Sequence, residues 1–318
     1  MAAWEQLVSP VTRGDPESAL RWTCKSTYKL RDQLRDQGYR VSHCSVGKLL
    51  WELGYSLQAP RKSREGGSHQ DRNAQFEYLN GQVEAFQTRG WASLSVDAKK
   101  KENIGNFSNK GREYQPKGKP EEVNVYDFID KEKGKVAPYG IYDIGRNEGF
   151  VNLGLSKDTA KFAVHSIRKW WYQMGQALYG NTPAFLITAD CGGSNGNRIR
   201  LWKVELQKLA NELKKDIYVC HFPPGTSKWN KIEHRMFCYI SENWRGRPLI
   251  SRQVVVQLIG NTTTKTGLTI RAELDENIYE KGCKISNEQL AEVNLVKQEF
   301  HGEWNYIIKH DTGDNHNQ

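Results

Sequence analysis

The sequence contains no long apolar run and no regular cysteine spacing. Within its 318 residues, no stretch approaches the roughly 20 apolar residues that a membrane span requires. Residues 1–20 include Glu5, Asp15 and Glu17 and lack the apolar core of a secretory signal. The six cysteines are irregularly spaced, which favours reduced thiols. We therefore expect a cytoplasmic protein that is neither exported nor membrane-spanning.

Acidic residues are in deficit. The chain has 46 lysines and arginines against 37 aspartates and glutamates, which gives a formal net charge of +9 at pH 7. This excess favours a polyanionic partner such as nucleic acid, although many basic proteins bind none. Ten tryptophans, fourteen tyrosines and ten phenylalanines supply large apolar side chains for a core. The composition predicts a folded basic protein with two domains, or with one large domain and an appendage.

Short helices are predicted in residues 14–60. The first begins at Asp15-Pro16 and includes Trp22, and the second runs from Ser26 through Gln37. Ser42 caps a third helix, and the connection 38–41 has the length and composition of a helix-turn-helix. Three side chains at the start of the third helix are placed to reach base edges: His43, Ser45 and Lys48. Residues 1–60 are therefore predicted to bind DNA; a helical bundle with another role is the alternative.

The rest of the chain divides into a linker, an α/β region and an extension. Residues 61–90 predict a charged linker and a lead-in helix over 73–86. Within 91–260, strands are predicted near 91–98, 123–128, 140–144, 150–153, 184–189 and 217–222. Helices are predicted over 158–178, 198–213 and 227–244, which indicates a mixed sheet with helices on its faces. The extension, 261–318, predicts a strand over 268–274 and a helix over 287–296.

Three carboxylates stand out by their positions. Asp97 ends the first strand on its polar face, and Asp190 ends a buried strand before a glycine-rich turn. Glu233 falls within the apolar stripe predicted for the helix 227–244, where a lone charge is costly. Each acid also has a purely structural interpretation: Asp97 as a solvated residue at a strand end, Asp190 as a turn cap, and Glu233 as a partner in a buried salt bridge. Together the three acids suit hard divalent cations, Mg²⁺ or Mn²⁺, and a pair of such ions supports phosphodiester chemistry.

Basic and polar side chains flank these acids along the chain. The predicted DNA contacts among them are Lys99, Lys100, Lys228, Lys231 and Arg235. The predicted substrate contacts are Asn195, Asn230 and His234, with turn, cap and surface roles as the alternatives. Cys220-His221 and the pair His234 and Cys238 would allow zinc, but neither has the usual Cys-x-x-Cys framework.

Three segments carry a family resemblance: SVDAKKKE at 95–102, TADCGGSN at 188–195 and HFPPGTSKWNKIEH at 221–234. They resemble the DDE transposases of the ISAzo-thirteen insertion-sequence family. The third segment is also similar to the context of the third acid in mariner-type transposases, where a Pro-rich loop precedes Asn-x-Ile-Glu-His. The resemblance extends from the helices of 15–57 to residues 300–306. It implies an RNase H-like catalytic fold with the acid triad Asp97, Asp190 and Glu233.

The resemblance also implies an activity, cofactors and partners. A protein of this family cuts DNA at insertion-sequence ends and joins the freed 3′-hydroxyl to target DNA, with two Mg²⁺ or Mn²⁺ ions per active site. Its partners would be double-stranded DNA and further copies of itself, at the nucleoid. The family pattern implies a helical DNA-binding segment upstream of Met1, so that the chain would begin inside it. Two alternatives stay open: a non-catalytic DNA-binding protein from a decayed element, and an RNase H-like nuclease unrelated to transposition.

Overall fold

The computed structural model describes residues 12–14, 21–23, 26–58, 69–128 and 132–312. By the density of its internal packing, the chain divides into two units, residues 1–64 and residues 65–318.

The smaller unit contains two helices that begin where the sequence predicts. Helix α1 (Thr27–Asp36) is capped by Ser26, and helix α2 (His43–Glu52) is capped by Ser42; each hydroxyl accepts a hydrogen bond from a backbone N–H of the first turn. Gly38 follows α1 with a φ of +87°, a conformation that favours glycine. The two helices share a small core of Leu30, Leu34 and Val46.

The first predicted helix is wrong where the structure describes it. Trp22 lies in strand β2 (Arg21–Thr23), which pairs antiparallel with strand β1 (Thr12–Gly14). Residues 15–20, where the sequence predicts that helix to begin, lie outside the described residues. Pairing with a neighbouring strand overrides the local signals on which such a short helix depends. The helix-turn-helix assignment of α1 and α2 stays a prediction.

The larger unit is built, among the described residues, on one nine-stranded mixed sheet. Its strands are β3 (Ser93–Ala98), β4 (Glu102–Asn103), β5 (Lys135–Asp143), β6 (Glu148–Gly154), β7 (Ala184–Ala189), β8 (Asp216–His221), β9 (Thr269–Asp275), β10 (Leu295–Lys297) and β11 (Asn305–Ile308). The order across the sheet is β10-β11-β8-β7-β3-β5-β6-β9, and β4 pairs with β5. Strands β3, β5 and β6 form an antiparallel series, whereas β7 and β8 run parallel to β3. The predicted α/β fold, a mixed sheet with helices on its faces, is confirmed.

Helices cover both faces of this sheet. They are α3 (Arg72–Thr88), α4 (Ala160–Trp170), α5 (Gln176–Tyr179), α6 (Arg200–Leu213), α7 (Cys238–Asn243), α8 (Arg252–Gly260) and α9 (Asn287–Ala291). Alternate residues of β5 enter different cores: Tyr139 packs with the core that includes α4 and α6, and Tyr142 with the core that includes α7 and α8. In the part of the chain that the structure describes, no helix is long and apolar enough to cross a membrane.

Three predicted elements need correction. Residues 123–128 are irregular, with Val125 89% exposed, because strand-forming residues need a neighbouring strand to pair with. The helix predicted over 287–296 ends at Ala291, and the residues after it form β10 against β11. The helix predicted over 227–244 begins as a separate 3₁₀ turn, Ser227–Trp229, breaks at Asn230 and resumes at Lys231. Local sequence patterns predict neither helix α8 nor the short strands β4, β10 and β11.

Candidate active site

Two neighbouring parallel strands bring Asp97 and Asp190 to the same edge of the sheet. Strand β3 pairs with β7 in the register Ser95↔Thr188, and each acid stands two residues further along its own chain. Asp97 lies near the end of β3, and Asp190 directly follows the last residue of β7. The carboxyl ends of adjacent parallel strands are where α/β sheets place ligands.

Asp97 is half-buried beside other carboxylates. Its Oδ1 accepts a hydrogen bond of 2.7 Å from the Ala98 N–H. Burial, followed by the negative charge of Asp190, raises the pKa of Asp97; the Ala98 N–H lowers it, and the charges of Glu233 and Asp158 raise it further. The three predicted acids therefore lie within electrostatic reach of one another.

Asp190 is subject to the same two effects. Burial raises its pKa, a hydrogen bond from the Asn230 side chain lowers it, and the charge of Glu233 raises it. Carboxylates that raise each other's pKa are destabilised in their charged forms, and a cation placed between them would relieve that repulsion.

Glu233 begins a π turn, Glu233–Phe237, and its side chain is half-buried. Burial raises its pKa, and the positive charges of Lys99 and His234 lower it. The apolar stripe predicted around Glu233 is only partly observed. Ile232, Met236, Phe237 and Ile240 are buried, but Trp229 is 49% exposed because the helix does not begin until Lys231. Glu233 therefore lies at the border of the apolar stripe, with access to solvent.

A cleft of about 390 Å³ gathers several predicted DNA contacts around Glu233. Its lining includes Lys99, Lys100, Lys228 and His234. The Lys99 ammonium pairs with Glu102 at 2.7 Å and lies 4.4 Å from the centre of the Trp244 ring. The other two predicted basic contacts, Lys231 and Arg235, are outside the lining of this cleft; Arg235 is exposed and Lys231 is half-buried.

Two of the three predicted substrate contacts are buried. Asn230 is 0% exposed and its amide is hydrogen-bonded within the protein. Asn195 is 1% exposed, and among the described residues its Nδ2 has no hydrogen-bond partner. Both side chains are interior in this structure, and their assignment as substrate contacts stays a prediction. His234, the third, is exposed, and its ring contacts the Lys228 carbonyl.

His221, for which the sequence suggests only a possible zinc ligand, is a further residue of the site. It is fully buried at the end of β8, and burial lowers its pKa to about 4, so the ring is neutral. Its Nδ1–H donates to the Asp190 carbonyl at 2.9 Å, and its Nε2 accepts from the Tyr306 hydroxyl at 3.0 Å. The Trp202 indole N–H donates in turn to that hydroxyl at 3.0 Å. This chain of hydrogen bonds fixes the backbone of Asp190 from inside the protein.

The donor set fits a hard divalent cation, although no complete ligand cluster is present. Among the described residues, no group of three or more histidine, cysteine, aspartate or glutamate side chains is close enough together to hold an ion. Asp97 and Asp190 nevertheless supply carboxylate oxygens, the ligands that Mg²⁺ prefers, from adjacent strand ends. The nearby Asp158 has a buried Oδ1 without a hydrogen-bond partner in the described part of the chain.

A family model described as the Rhodopirellula transposase DDE domain matches residues 3–310 of the chain. The chain belongs to the ISAzo-thirteen family of DDE transposases. The resemblance carried by the three acid-bearing segments is thereby confirmed, and the transposase match spans residues of both units. A search of curated protein sequences finds no match.

Several solved structures are similar to this transposase. The Mos1 transposase paired-end complex with the left transposon end is 13% identical, with a TM-score of 0.42 over 80% of this chain and 68% of that chain. The Mos1 strand transfer complex is 12% identical with a TM-score of 0.43 over the same shares. The Mos1 mariner paired-end complex with Mn is 12% identical with a TM-score of 0.42, again over those shares.

The predicted DNA contacts of the smaller unit lie on α2 of the transposase. Ser45 and Lys48 are exposed. His43 is half-buried, and its ring packs edge-on against Tyr28 with 4.4 Å between ring centres. Two of the three side chains therefore have the exposure that contact with base edges requires.

Proposed function

We propose that this transposase cleaves DNA at the ends of an insertion sequence and transfers the freed strand to target DNA in a divalent-metal-dependent reaction. Asp97, Asp190 and Glu233 are the proposed catalytic and metal-binding residues. The observation that carries the proposal is geometric: the parallel pairing of β3 with β7 places Asp97 and Asp190 at adjacent strand ends, and Glu233 lies near enough for its charge to raise the pKa of both. Such a concentration of half-buried negative charge is typical of a functional site.

The proposed cofactor is a pair of Mg²⁺ or Mn²⁺ ions. When bound, two such ions would activate the attacking hydroxyl and stabilise the leaving oxygen of the phosphodiester. Asp97 and Asp190 would hold one ion jointly, and Glu233 with one of the two aspartates would hold the second. The hydrogen bond from His221 would keep the Asp190 backbone in place. Positioning and charge neutralisation then account for most of the catalysis.

The proposed substrate is double-stranded DNA, both the terminal repeats of the element and the target. Lys99, Lys100 and Lys228 line the cleft beside Glu233, where lysine side chains would neutralise phosphates. Lys231 and Arg235 would contribute to the positive potential outside that cleft. Ser45 and Lys48, with His43, are the proposed contacts of a DNA-binding region in residues 1–60. A homo-oligomer on DNA belongs to the proposal because both ends of an element have to be cut and joined together.

The direct test replaces Asp190 with asparagine. Asp190→Asn keeps the size of the side chain and removes the charge that would bind metal. We expect loss of Mg²⁺-dependent nicking of element-end DNA and nearly unchanged DNA affinity, because phosphate contacts come from other residues. Gel-based nicking and strand-transfer assays, with fluorescence anisotropy for binding, measure both quantities.

The same assays separate the alternatives. Full cleavage by the Asp190→Asn variant contradicts the assignment of the active site. DNA binding by the unmodified chain without nicking indicates a non-catalytic DNA-binding protein. Cleavage without strand-transfer products indicates a nuclease unrelated to transposition.

A further inference from the structure

Asn230 connects the three elements that carry the proposed metal-binding acids. It is fully buried in the break between the 3₁₀ turn 227–229 and the helix that carries Glu233. Its Nδ2 donates to the Val96 carbonyl at 3.2 Å and to Asp190 Oδ1 at 3.1 Å. Its main-chain carbonyl oxygen accepts a hydrogen bond from the Glu233 N–H at 3.1 Å. One residue thus contacts the backbone next to Asp97, the carboxylate of Asp190 and the backbone of Glu233.

Ser95 completes this arrangement from β3. The Ser95 hydroxyl donates to Asn230 Oδ1 at 2.5 Å and accepts from the Ile232 N–H at 3.0 Å. The Asn230 amide therefore has a partner for its oxygen and for both of its hydrogens, all of them inside the protein. A fully satisfied buried network of this kind holds its members in one geometry.

We propose that Asn230, supported by Ser95, is a positioning residue for the metal-binding carboxylates of this transposase. The proposal rests on the proposed function. One oxygen of Asp190 is held by the Asn230 amide, which orients the carboxylate as a whole. The same amide bonds to the Val96 carbonyl of β3, and the main-chain carbonyl of Asn230 accepts from the Glu233 N–H, so this residue holds the start of the Glu233 helix against β3. Groups that orient a metal ligand affect metal affinity directly, typically by 10-fold to 100-fold when they are replaced.

The test measures Mn²⁺ binding to the full chain by electron paramagnetic resonance, independently of DNA cleavage. In Asn230→Asp, an oxygen replaces the Nδ2 donor and faces the Val96 carbonyl and Asp190. We expect the dissociation constant for Mn²⁺ to rise by about 10-fold or more. Ser95→Ala leaves the Asn230 amide in place and removes its support, so we expect a smaller rise. The Mg²⁺ concentration at half-maximal cleavage should rise in parallel, with unchanged affinity for DNA.

Asn152 provides a matched control. It is also a fully buried asparagine whose Nδ2 donates to a buried carboxylate, Asp275, at 2.8 Å. Asn152→Asp makes the same chemical change away from the three acids. We expect it to cost stability and to leave the dissociation constant for Mn²⁺ unchanged.

The outcomes distinguish failure of the positioning role of Asn230 from failure of the proposed function. If Asn230→Asp and Ser95→Ala both bind Mn²⁺ like the unmodified chain, the positioning role is overturned and the proposed function stands. If Asn152→Asp weakens Mn²⁺ binding as much as Asn230→Asp does, the effect is general destabilisation and the positioning role is again overturned. If the unmodified chain neither binds Mn²⁺ nor cleaves DNA, both proposals fail. If Asn230→Asp does not fold, Ser95→Ala decides the question alone.

Discussion

Replacing Asp97 with asparagine should make the metal-free protein more stable while it abolishes cleavage. The Asp97 side chain is half-buried next to Asp190, and the two charges repel. An asparagine keeps an oxygen that can accept the 2.7 Å hydrogen bond from the Ala98 N–H, and it carries no charge. The substitution therefore removes the unfavourable interaction and keeps the favourable one. A site that binds a cation is expected to contain carboxylates that repel one another, and therefore destabilise the fold, when the cation is absent.

The size and sign of the effect follow from the pKa of Asp97, which burial and Asp190 raise to about 8. A raised carboxyl pKa means that the folded state binds more protons than the unfolded state between the two pKa values, so the stability of the metal-free protein falls as pH rises through that window. One pKa unit corresponds to about 1.4 kcal/mol. Because Asp97 and Asp190 titrate together and share the repulsion, we expect Asp97→Asn to gain on the order of 2 kcal/mol above the window and little below it.

Urea unfolding in the presence of a chelator, at about pH 5 near the lower end of the window and at about pH 9 above it, measures how the gain grows with pH. Asp275→Asn is the matched control, since Asp275 is buried but its pKa is lowered by hydrogen bonds, chiefly from Asn152, that outweigh the effect of burial. That variant should lose stability at both pH values. The reasoning is refuted if Asp97→Asn is no more stable than the unmodified chain at the higher pH. Added Mg²⁺ should narrow the difference, because it would stabilise only a folded protein with its acids intact.

Two further substitutions test the surroundings of the site. A Cβ on Gly140, which pairs with Asp97 across the sheet, would lie 2.6 Å from Phe237 and 2.7 Å from Met236, so Gly140→Ala should displace the Glu233 helix. We expect a loss of about 1–3 kcal/mol in unfolding free energy and a larger proportional loss of cleavage; normal stability and activity would contradict this. Lys99→Met removes a positive charge that lowers the pKa of Glu233, so the acidic limb of the cleavage pH profile should move to higher pH. Single-turnover rates across pH measure it, and an unmoved limb would contradict the interaction.

The strand ends that carry Asp97 and Asp190 are predictable from sequence because their signals are local. Alternation of polar and apolar residues marks β3, and a short apolar run marks β7, which is observed with the predicted bounds. The position at which the Glu233 helix starts is not determined by the local sequence. It is set by Asn230, whose amide bonds to Val96, 134 positions earlier in the chain. Helical periodicity contains no information about such a long-range contact. It therefore places Trp229 in the predicted apolar stripe, to which this residue does not belong in the structure.

The alternation in β3 does not show what covers the polar side of that strand. The polar side of that strand suggests solvent, yet Ser93 and Ser95 are buried, 1% and 0% exposed. Ser95 is covered by the chain that leads into the Glu233 helix, and Asn230 is the residue that satisfies its hydroxyl there. The polar side of a strand in this mixed sheet can therefore be covered by a polar partner. In this transposase, that covering places the third proposed acid within electrostatic reach of the first two.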